Sequence, residues 1–482
     1  MTADVLAGAV NFIGGSWARS AGPTVESRNP ADDSDTVGVV PDSTPDDVRH
    51  AVDVAVSAAP GWAETPAPVR GDVLQRWNQL IGEHAEELAL LMTREMGKPL
   101  AESRAELGRA RLELDYTAGE GTRLHGATIP SRAAGQLVYT ELEPLGVVAA
   151  ITPWNFPAVA PVRKIGPALV AGNPVVLKPA LETSVTALRL AGLLAEAGLP
   201  EGVLGVVSGR GETVGAQLAA DARVDGVSFT GSTVVGRTVN AAVARRLGRT
   251  QLELGGKNAA YVHSARDLDA VAAHITGAAI QTSGQRCTAI SRVIVHDELA
   301  DGLVERLAAS WAELAVGSGL EPATQVGPLV SDAQYERVTE YLRRGEQEGA
   351  RRCAPDRPVP SGRYVAPTVL DGVTREMAVA REEIFGPVLS VLRVSGEEEA
   401  LAVANDCEYG LAAVVFSEDI GVAMRFARRV RAGMVHVNHG TVSQPHVPFG
   451  GVSGSGAGAF SIGFTNRDFF TQTKVVYLAP TP

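Results

Sequence analysis

From Glu143 onward the chain alternates short apolar segments with helical stretches. Segments such as GVVAAI and PVVLK are bounded by glycine, proline or polar residues. This alternation predicts consecutive β-α-β units, which assemble into parallel sheets covered by helices. The predicted strands and helices of the first block are Gly146–Ile151, Pro174–Lys178, Ser184–Ala197, Val203–Ser208, Thr213–Ala220 and Val227–Thr230. Because parallel sheets bind ligands at the carboxyl ends of their strands, functional residues are expected at those ends.

A second alternating block follows Gly255-Gly256. Its predicted elements are Ala259–Val262, Leu268–Thr282, Ser291–His296, Leu299–Leu314, Val388–Val394 and Glu397–Ala404. The chain has 482 residues, too many for one hydrophobic core, so two or three domains are expected.

Before the first block, residues 1–45 predict short strands and turns, and the residues from Thr44 are mainly helical. Thr44-Pro45-Asp46-Asp47 combines an N-cap residue, a proline at the first helical position and early acidic residues, so a helix is predicted to begin there. Further helices are predicted over Val69–Met96 and Leu100–Thr117. Residues 121–142 lose helical spacing and predict an extended arm, and Thr473–Leu478 predicts a terminal strand.

Charge and cysteine content argue against several classes of protein. Lys and Arg number 43 and Asp and Glu number 55, which gives a net charge of −12 and disfavours a general nucleic-acid or anionic-membrane binder. Cys287, Cys353 and Cys407 are too few for a disulfide framework and match no zinc spacing, so no metal site and a reducing compartment are expected. No signal peptide and no membrane span are expected either.

Gly284-Gln285-Arg286-Cys287-Thr288 contains the first candidate catalytic group. A cysteine flanked by glycine and polar residues is accessible to a small substrate, and a thiolate is a strong nucleophile toward a carbonyl carbon. The alternative is a buried structural thiol, which would be favoured for an arbitrary cysteine and is the interpretation adopted for Cys353 and Cys407.

Two further motifs carry groups that suit catalysis. Glu253 stands between two leucines in QLELGGK, and apolar neighbours raise a carboxyl pKa toward the range of a general base. From those seven residues alone, a solvent-facing edge-strand glutamate is favoured. Asn155 lies between prolines and aromatics in TPWNFP, where it suits either a rigid oxyanion donor or an Asx turn.

Three motifs suit a cofactor. Phe229–Gly236 contains a strand, a glycine turn and a helix start that can hold a phosphate, although it lacks the usual GxGxxG spacing. Lys178 ends another strand and is placed for a ribose or phosphate, or is an ordinary surface lysine. Glu382–Pro387 places a carboxylate near an aromatic ring, which suits a ribose hydroxyl or a loop that closes a helix.

Taken together and in this order, the motifs resemble those of the aldehyde dehydrogenase superfamily. The resemblance extends over essentially the whole chain and includes a late Pro448-Phe449-Gly450-Gly451. In chain order the seven motifs are WNFP, KP, FTGST, ELGGK, GQRC, EEIFGP and PFGG. No single motif is decisive, but seven in register argue against chance and favour the functional interpretation of each.

The resemblance implies the catalytic roles. Cys287 corresponds to the nucleophile that forms a thiohemiacetal, and Asn155, together with the backbone N–H of Cys287, corresponds to the oxyanion hole. Hydride transfer to a nicotinamide then leaves a thioester. Glu253 corresponds to the base that activates water for hydrolysis of the thioester. Relatives that pass the acyl group to coenzyme A usually lack this glutamate, so a free carboxylate product is expected.

The resemblance also implies the cofactor site. Lys178 and Glu383 correspond to the residues that hold the two riboses, Gly231 and Ser232 to the pyrophosphate turn, and Phe385 to the residue beside the nicotinamide ribose. The full set of expected cofactor residues is Thr152, Trp154, Lys178, Gly231, Ser232, Glu383 and Phe385. Relatives that prefer NAD often carry a glutamate where this chain has Leu181, so NAD or NADP is expected.

Arg163 is the main indication of the substrate class. It occupies the position where succinate-semialdehyde dehydrogenases bring an arginine to the substrate carboxylate, and here it serves either as that anion clamp or in a structural ion pair. The second arginine of those relatives is replaced by Gln281, and Arg163 and Gln281 are the expected substrate-binding residues. Residues 438–447 resemble 2-oxoglutarate-semialdehyde dehydrogenases; His439, Ser443, Gln444 and His446 either line the substrate mouth or are loop residues without ligand contact.

The expected substrate is therefore a small semialdehyde with an acidic tail. The alternatives are a dehydrogenase of neutral aliphatic or aromatic aldehydes and, more distantly, a non-catalytic protein that retains the fold. A structural role would require none of Cys287, Glu253 and Asn155, so their joint presence argues against the last alternative.

The resemblance implies an α/β fold with a Rossmann-type cofactor domain, an α/β catalytic domain and a small β oligomerisation arm. The expected ranges are 1–121 and 142–254 for the cofactor domain, 255–435 for the catalytic domain, 436–466 for a segment returning to the cofactor domain and substrate mouth, and 122–141 with 467–482 for the arm. An exposed arm strand needs a partner, so a homodimer or homotetramer is expected. The expected location is the cytoplasm, and neither nucleic acid nor membrane is an expected partner.

Overall fold

The computed structural model describes residues 8–353 and 357–480. The first seven residues of the N-terminal stretch, for which no signal peptide is expected, lie outside the described residues, as do the last two residues of the predicted arm range. In the part of the chain that the structure describes, no helix is long and apolar enough to cross a membrane.

The helices occupy most of residues 45–120 and connect most strands of the two blocks. They span Pro45–Glu64, Ala67–Glu83, Ala85–Met96, Leu100–Glu120, Val159–Val170, Ser184–Glu196, Ala216–Ala220, Thr233–Ala244, Leu268–Ile280, Asp297–Ala312, Asp332–Gln347, Ala378–Arg381, Glu397–Asn405, Ile420–Arg429 and Arg467–Phe470. The first begins as predicted: the Thr44 hydroxyl accepts a hydrogen bond from the backbone N–H of Asp47, and the Asp47 carboxylate accepts one from the backbone N–H of Thr44.

The strands are numbered in chain order. They are β1 (Val10–Ile13), β2 (Ser16–Arg19), β3 (Thr24–Asn29), β4 (Asp32–Pro41), β5 (Thr128–Ile129), β6 (Leu137–Pro144), β7 (Val148–Ile151), β8 (Val175–Lys178), β9 (Leu204–Val206), β10 (Gly226–Thr230), β11 (Arg249–Glu253), β12 (Asn258–Val262), β13 (Ile290–His296), β14 (Arg351–Arg352), β15 (Thr368–Asp371), β16 (Val388–Val394), β17 (Ala412–Phe416), β18 (Met434–Val437), β19 (Gly456–Ala457) and β20 (Thr471–Leu478).

The first block forms an eight-stranded sheet in the order β19-β11-β10-β7-β8-β9-β1-β2. The strands from β11 to β9 are parallel. All four residues of β7 are buried, as expected for a strand covered on both faces. The register pairs Ile151 with Lys178 and Thr230 with Glu253, so the strand ends that carry the predicted motifs lie at one edge of the sheet.

The second block forms a seven-stranded sheet in the order β14-β15-β16-β13-β12-β17-β18. Every neighbouring pair except β14–β15 is parallel. Apolar side chains of β12, β13, β16 and β17 are buried in two clusters, one on each face of the sheet. The two alternating blocks predicted from the sequence therefore correspond to two separate sheets.

The predicted arm is a third, three-stranded sheet in the order β20-β6-β5. The terminal strand β20 pairs antiparallel with β6 along its whole length, from Thr471 opposite Pro144 to Leu478 opposite Leu137. Several apolar side chains of this sheet are exposed, namely Ile129, Leu137, Val475, Tyr477 and Leu478.

Two helices differ from the expectations. The helix predicted over Val69–Met96 is two helices that meet at His84, where ψ is 16°, and the change of direction lets both segments bury apolar side chains such as Trp77 and Met92. In the predicted helix over Thr213–Ala220, only Ala216–Ala220 is α-helical; a wider turn over Gly211–Gly215 precedes it.

Candidate active site

A cavity of about 800 Å³ lies where the carboxyl edge of the eight-stranded sheet meets the loop before β13. Ten of the twelve predicted site residues line it: Trp154, Asn155, Arg163, Gly231, Ser232, Glu253, Gln281, Cys287, Glu383 and Phe385. Thr152 and Lys178 are not among the lining residues. They lie at the ends of the neighbouring strands β7 and β8, where the Thr152 N–H donates to the Lys178 carbonyl at 3.1 Å. The structure thus brings ten of the predicted residues together at one cavity.

Cys287 lies in a strained loop that follows the helix Leu268–Ile280. Thr282 and Ser283 both have φ 56°, which is why the helix ends before the predicted Thr282. A non-glycine residue held in this left-handed backbone conformation costs about 1–3 kcal/mol, and such residues cluster at functional sites. Glu102 holds the turn, because its carboxylate accepts hydrogen bonds from the Thr282 N–H at 2.7 Å and the Thr282 hydroxyl at 3.2 Å.

The main chain of Cys287 is fixed from β12. The side-chain amide of Asn258 donates to the carbonyls of Cys287 and Ala289, each at 2.8 Å. A Cβ at Gly256 would lie 2.8 Å from the Cys287 carbonyl oxygen, so the ELGGK segment can approach the cysteine loop this closely because it carries glycine there.

The Cys287 thiol is not ionised by its surroundings alone. Burial raises its pKa to about 11; Arg286 and Arg163 act against this rise, while Glu253 and Glu383 reinforce it. Because the thiolate is the nucleophilic form, a base within the cavity assists the attack by Cys287.

Asn155 is held rigidly beside the cysteine loop. Its side-chain amide donates to the Gln285 carbonyl at 2.8 Å, and its own carbonyl accepts from Lys98 Nζ at 2.9 Å. Lys98 is buried in an ion pair with Glu106, which also accepts from the backbone N–H of Ala158 at 2.8 Å. One N–H of the Asn155 amide is left to face the cavity, which is the preorganised donor that an oxyanion needs.

Glu253 is buried at the end of β11. One carboxylate oxygen accepts a long hydrogen bond from the Ser461 N–H at 3.4 Å, and the other, Oε2, is buried without a partner among the described residues. Burial raises the pKa of Glu253 to about 7, against the opposing charges of Lys164 and Arg163. The group therefore exchanges a proton near neutral pH, as a general base must.

Lys164 is a site residue that the sequence analysis missed. Burial lowers its pKa to about 7, and Glu253 opposes that shift. Its ammonium donates to the Ser228 hydroxyl at 2.8 Å, which in turn donates to the Gln251 side chain at 2.7 Å. Its position directly after Arg163, near the end of the TPWNFP motif, was the available signal.

Arg163 is paired with a carboxylate from the helix Leu100–Glu120. Its Nε and Nη2 donate to the two oxygens of Glu113 at 3.1 and 2.7 Å, and its guanidinium stacks over the Phe449 ring at 4.8 Å. Arg109 Nε also donates to Glu113, at 3.0 Å. Although burial raises the pKa of Glu113, Arg163 and Arg109 more than reverse this and hold it below its usual value.

Arg109, Glu113 and Glu102 were also missed. Glu102, Glu106, Arg109 and Glu113 are spaced four, three and four residues apart, which places four charged side chains on one face of a helix. A charged face usually meets solvent. Here it packs against the cavity, and this spacing was the signal that could have identified these residues.

Gln281 and Arg286 lie together at the cavity wall. Gln281 is exposed, and its side-chain oxygen accepts from Arg286 Nη1. Arg286 Nη2 donates to the Thr441 carbonyl at 3.2 Å.

Ser443, from the segment predicted to line the substrate mouth, lines the same cavity, and its hydroxyl is buried without a partner among the described residues.

The other side of the cavity fits a dinucleotide. Ser232 caps the helix Thr233–Ala244 by accepting from the Val235 N–H at 3.4 Å, and the first-turn amides point out of the helix start, where a phosphate binds. Val234 and Val235 are exposed at the cavity, with 73% and 48% of their surface accessible, and offer an apolar surface for a flat base.

Glu383 and Phe385 close this side. A Cβ at Gly255 would lie 2.4 Å from a Glu383 carboxylate oxygen, and the other oxygen accepts from the Gly256 N–H at 2.8 Å. Phe385 adopts φ 63° and packs edge-on against Trp154, with ring centroids 5.5 Å apart. Lys178 donates to the Pro179 carbonyl at 2.7 Å, and burial lowers its pKa to about 8.

Comparisons with known proteins agree with this geometry. A model of the aldehyde dehydrogenase family matches residues 17–476. The chain is 40% identical over 478 residues to the alpha-ketoglutaric semialdehyde dehydrogenase of Bacillus subtilis (strain 168), covering 98% of each protein. It is 38% identical over 449 residues to the succinate-semialdehyde dehydrogenase (NADP(+)) of Escherichia coli (strain K12), covering 93% of each.

The fold is similar to that of solved structures. The crystal structure of the NAD-dependent aldehyde dehydrogenase from Sinorhizobium meliloti superposes with a TM-score of 0.95 at 38% sequence identity, covering 98% of this chain and 95% of that one. The predicted fold class is confirmed by this similarity.

Proposed function

The chain belongs to the aldehyde dehydrogenase family, and from this premise we propose that it oxidises a small semialdehyde with an acidic tail to the corresponding carboxylate. As a member of this family it is an oxidoreductase that acts on aldehydes with NAD or NADP. The observation that carries the proposal is the meeting of Cys287, Asn155 and Glu253 in one cavity that is also lined by Arg109, Arg163 and Arg286.

In the proposed mechanism Cys287 attacks the aldehyde carbon. Its thiol proton passes to Glu253, the carboxylate whose pKa is raised to about 7, and the new S–C bond places negative charge on the former carbonyl oxygen. The free N–H of the Asn155 amide and the backbone N–H of Cys287 donate to that oxygen. The strained loop fixes both donors before substrate arrives.

When bound, the oxidised nicotinamide supplies the acceptor for the hydride, which leaves an acyl group on the Cys287 sulfur. Glu253 first releases to solvent the proton that it took from the thiol. It then removes a proton from water, and the resulting hydroxide attacks the thioester carbon. The S–C bond breaks, Cys287 leaves as thiolate and the carboxylate product is released. The unpartnered Oε2 of Glu253 supports this role, because a base that waits for water needs a free oxygen.

The residues that would hold the cofactor are those predicted from the sequence. Gly231 and Ser232 would hold the pyrophosphate at the helix start, Lys178 and Glu383 the riboses, and Phe385 would pack beside the nicotinamide ribose. Thr152 and Trp154 support this wall. Leu181 neither repels nor attracts a 2′-phosphate, so we propose that both NAD and NADP are accepted.

The alternative substrate is a neutral aldehyde, and one observation favours it. Arg163 already makes a side-on pair with Glu113, which is the structural ion pair considered in the sequence analysis. The proposed preference for acidic aldehydes therefore needs the other cationic groups of the cavity or the remaining Nη1 of Arg163. The names of the relatives in Bacillus subtilis and Escherichia coli support the acidic class.

A substrate panel tests the proposal. Succinate semialdehyde, 2-oxoglutarate semialdehyde, hexanal and benzaldehyde are each oxidised with NAD and with NADP while the absorbance of reduced nicotinamide is followed. The proposal predicts a higher kcat/KM for the acidic aldehydes, through a lower KM. Equal values for hexanal would support the neutral alternative, and cofactor binding without turnover of any aldehyde would support a non-catalytic role.

Assembly, location and domain division are further parts of the proposal. We propose a homodimer or homotetramer, supported by the exposed Val475, Tyr477 and Leu478 on the edge strand β20, because an unpaired apolar edge invites a partner. A cytoplasmic location is supported by the three free cysteines. The boundary at 254 and 255 is supported by the change of sheet between β11 and β12, and the return segment 436–466 by β19, which joins the first sheet.

A further inference from the structure

We propose that Arg109 determines substrate specificity by binding the carboxylate of the acidic tail. This inference rests on the proposed function and adds a residue to it, because the sequence analysis assigned the tail to Arg163 and Gln281. Arg109 projects from the helix Leu100–Glu120 into the wall of the cavity that contains Cys287.

The cluster around Arg109 carries an excess of positive charge. Arg109, Arg163 and Glu113 form one cluster in which two guanidinium groups share a single carboxylate. Arg163 occupies both oxygens of Glu113, whereas Arg109 reaches only Oε1, through Nε. The cluster therefore keeps one positive charge without a counter-ion, and Arg109 is the less compensated of the two arginines.

Arg109 also has a hydrogen-bond donor without an acceptor. Nη2 of Arg109 is buried and donates to no partner among the described residues. A charged donor removed from water without an acceptor is costly, so natural proteins rarely retain one without a use. A substrate carboxylate at the cavity wall would supply both the missing acceptor and the missing negative charge.

A second unpartnered group lines the same cavity. The hydroxyl of Ser443 is also buried without a partner among the described residues. A carboxylate has two oxygens and accepts several hydrogen bonds, so it can take one from a guanidinium and another from a hydroxyl. The pair of unmet groups suits a tail that ends in a carboxylate better than an alkyl or aryl tail.

The neighbouring charged groups are already engaged. Lys98 is paired with Glu106, and Glu102 accepts from Thr282. Arg286 donates to Gln281 and to the Thr441 carbonyl. Compared with these groups, Arg109 retains the buried donor that a new anion would use.

The test compares two aldehydes of equal chain length, glutarate semialdehyde and pentanal. Arg109→Gln removes the charge, Arg109→Lys retains it without the planar fork, and Arg111→Gln is the matched control. Arg111 lies on the same helix, is exposed and donates to the Asn78 side chain. Thermal unfolding of each variant shows whether it is folded.

We expect Arg109→Gln to lower the ratio of kcat/KM for glutarate semialdehyde to that for pentanal by roughly 10- to 100-fold, mainly through KM. Arg109→Lys should lower this ratio less, because lysine retains the positive charge. If Arg109→Gln does not fold, Arg109→Lys still provides the test, because a lysine can keep the pairing with Glu113. Arg111→Gln should leave the ratio unchanged. The affinity for glutarate, measured by calorimetry without turnover, should fall in parallel.

An unchanged ratio and an unchanged glutarate affinity in folded Arg109 variants would overturn the inference. So would a larger loss of the ratio in Arg163→Leu than in Arg109→Gln, because the tail would then depend on Arg163. Failure of the proposed function is seen separately, in the unmodified protein: it would oxidise pentanal as well as glutarate semialdehyde, or neither.

Discussion

Two buried glutamates, one lining the cavity and one paired with arginines that line it, have opposite protonation behaviour. Glu113, on the helix Leu100–Glu120, accepts three hydrogen bonds from two arginines, and its pKa is held below the usual value. Glu253, at the end of β11, has one unpartnered oxygen, and burial raises its pKa to about 7. Both carboxylates are almost completely removed from water.

The comparison teaches that burial alone does not decide what a carboxylate does. Burial raises the pKa of both groups, and the difference arises from the partners. Two guanidinium groups in direct contact keep Glu113 in its anionic form. Glu253 is influenced by Lys164 and Arg163 without a hydrogen bond to either, so it remains able to accept a proton.

The largest expected effect is the loss of catalysis on replacing Glu253. Glu253→Gln should lower the steady-state kcat by about 10²–10⁴-fold, because water then loses the carboxylate that takes its proton. Acylation should be slowed less than hydrolysis, so the acyl-enzyme should accumulate. The thiol, with a pKa of about 11 and with Arg286 and Arg163 favouring its ionisation, can still lose its proton without Glu253. Water, with a pKa of about 15.7, loses its proton far less readily without a base. Stopped-flow detection of reduced nicotinamide, compared with carboxylate release, measures this split.

The next largest expected effect is the loss of folding stability on replacing Glu113. Glu113→Gln should destabilise the fold by about 3 kcal/mol, because it leaves two buried guanidinium groups without a full counter-ion. Urea unfolding measures the loss. Glu86→Gln is the control, since Glu86 pairs with Arg104 at the exposed surface and its removal should leave the midpoint unchanged. Equal midpoints for the unmodified protein and Glu113→Gln would contradict the assigned role of Glu113.

The smallest expected effect is a pH dependence of kcat that Glu253 causes and Glu113 does not. The ionised form of Glu253 is the active form, so kcat should rise with pH and level off above about 7, falling about tenfold per unit below that value. Glu113, with its lowered pKa, stays ionised throughout this range and contributes no step. A pH profile of kcat for one acidic aldehyde measures the effect, and a profile that is flat from about pH 5.5 to about pH 8 would contradict the assignment of Glu253.

Much of this arrangement could be predicted from the sequence. The alternation of apolar strands and helices predicted the two parallel sheets, and parallel pairing brings the ends of β7, β10 and β11 to one edge. That is why motifs far apart in the chain line one cavity. The glycines of ELGGK permit a close approach of the backbone, which the structure places at the Cys287 carbonyl.

The rest depends on contacts that no local pattern encodes. Arg163 meets Glu113 across 50 residues of sequence, and its pairing follows from how the helices Leu100–Glu120 and Val159–Val170 pack. The break at His84 lies within a continuous helical pattern, because tertiary packing outweighs local propensity there. The pKa of Glu253 could be predicted in direction from its leucine neighbours, but its coupling to Lys164 required the fold.

The central claim is that Cys287 forms a transient covalent bond to its substrate beside the bound cofactor. Mass spectrometry of the Glu253→Gln variant, incubated with NAD and glutarate semialdehyde and then digested, tests this most directly. The account predicts that the peptide containing Cys287 gains the mass of the glutaryl group, and only when the cofactor is present. An unmodified Cys287 peptide, or the added mass on Cys353 or Cys407, would contradict it.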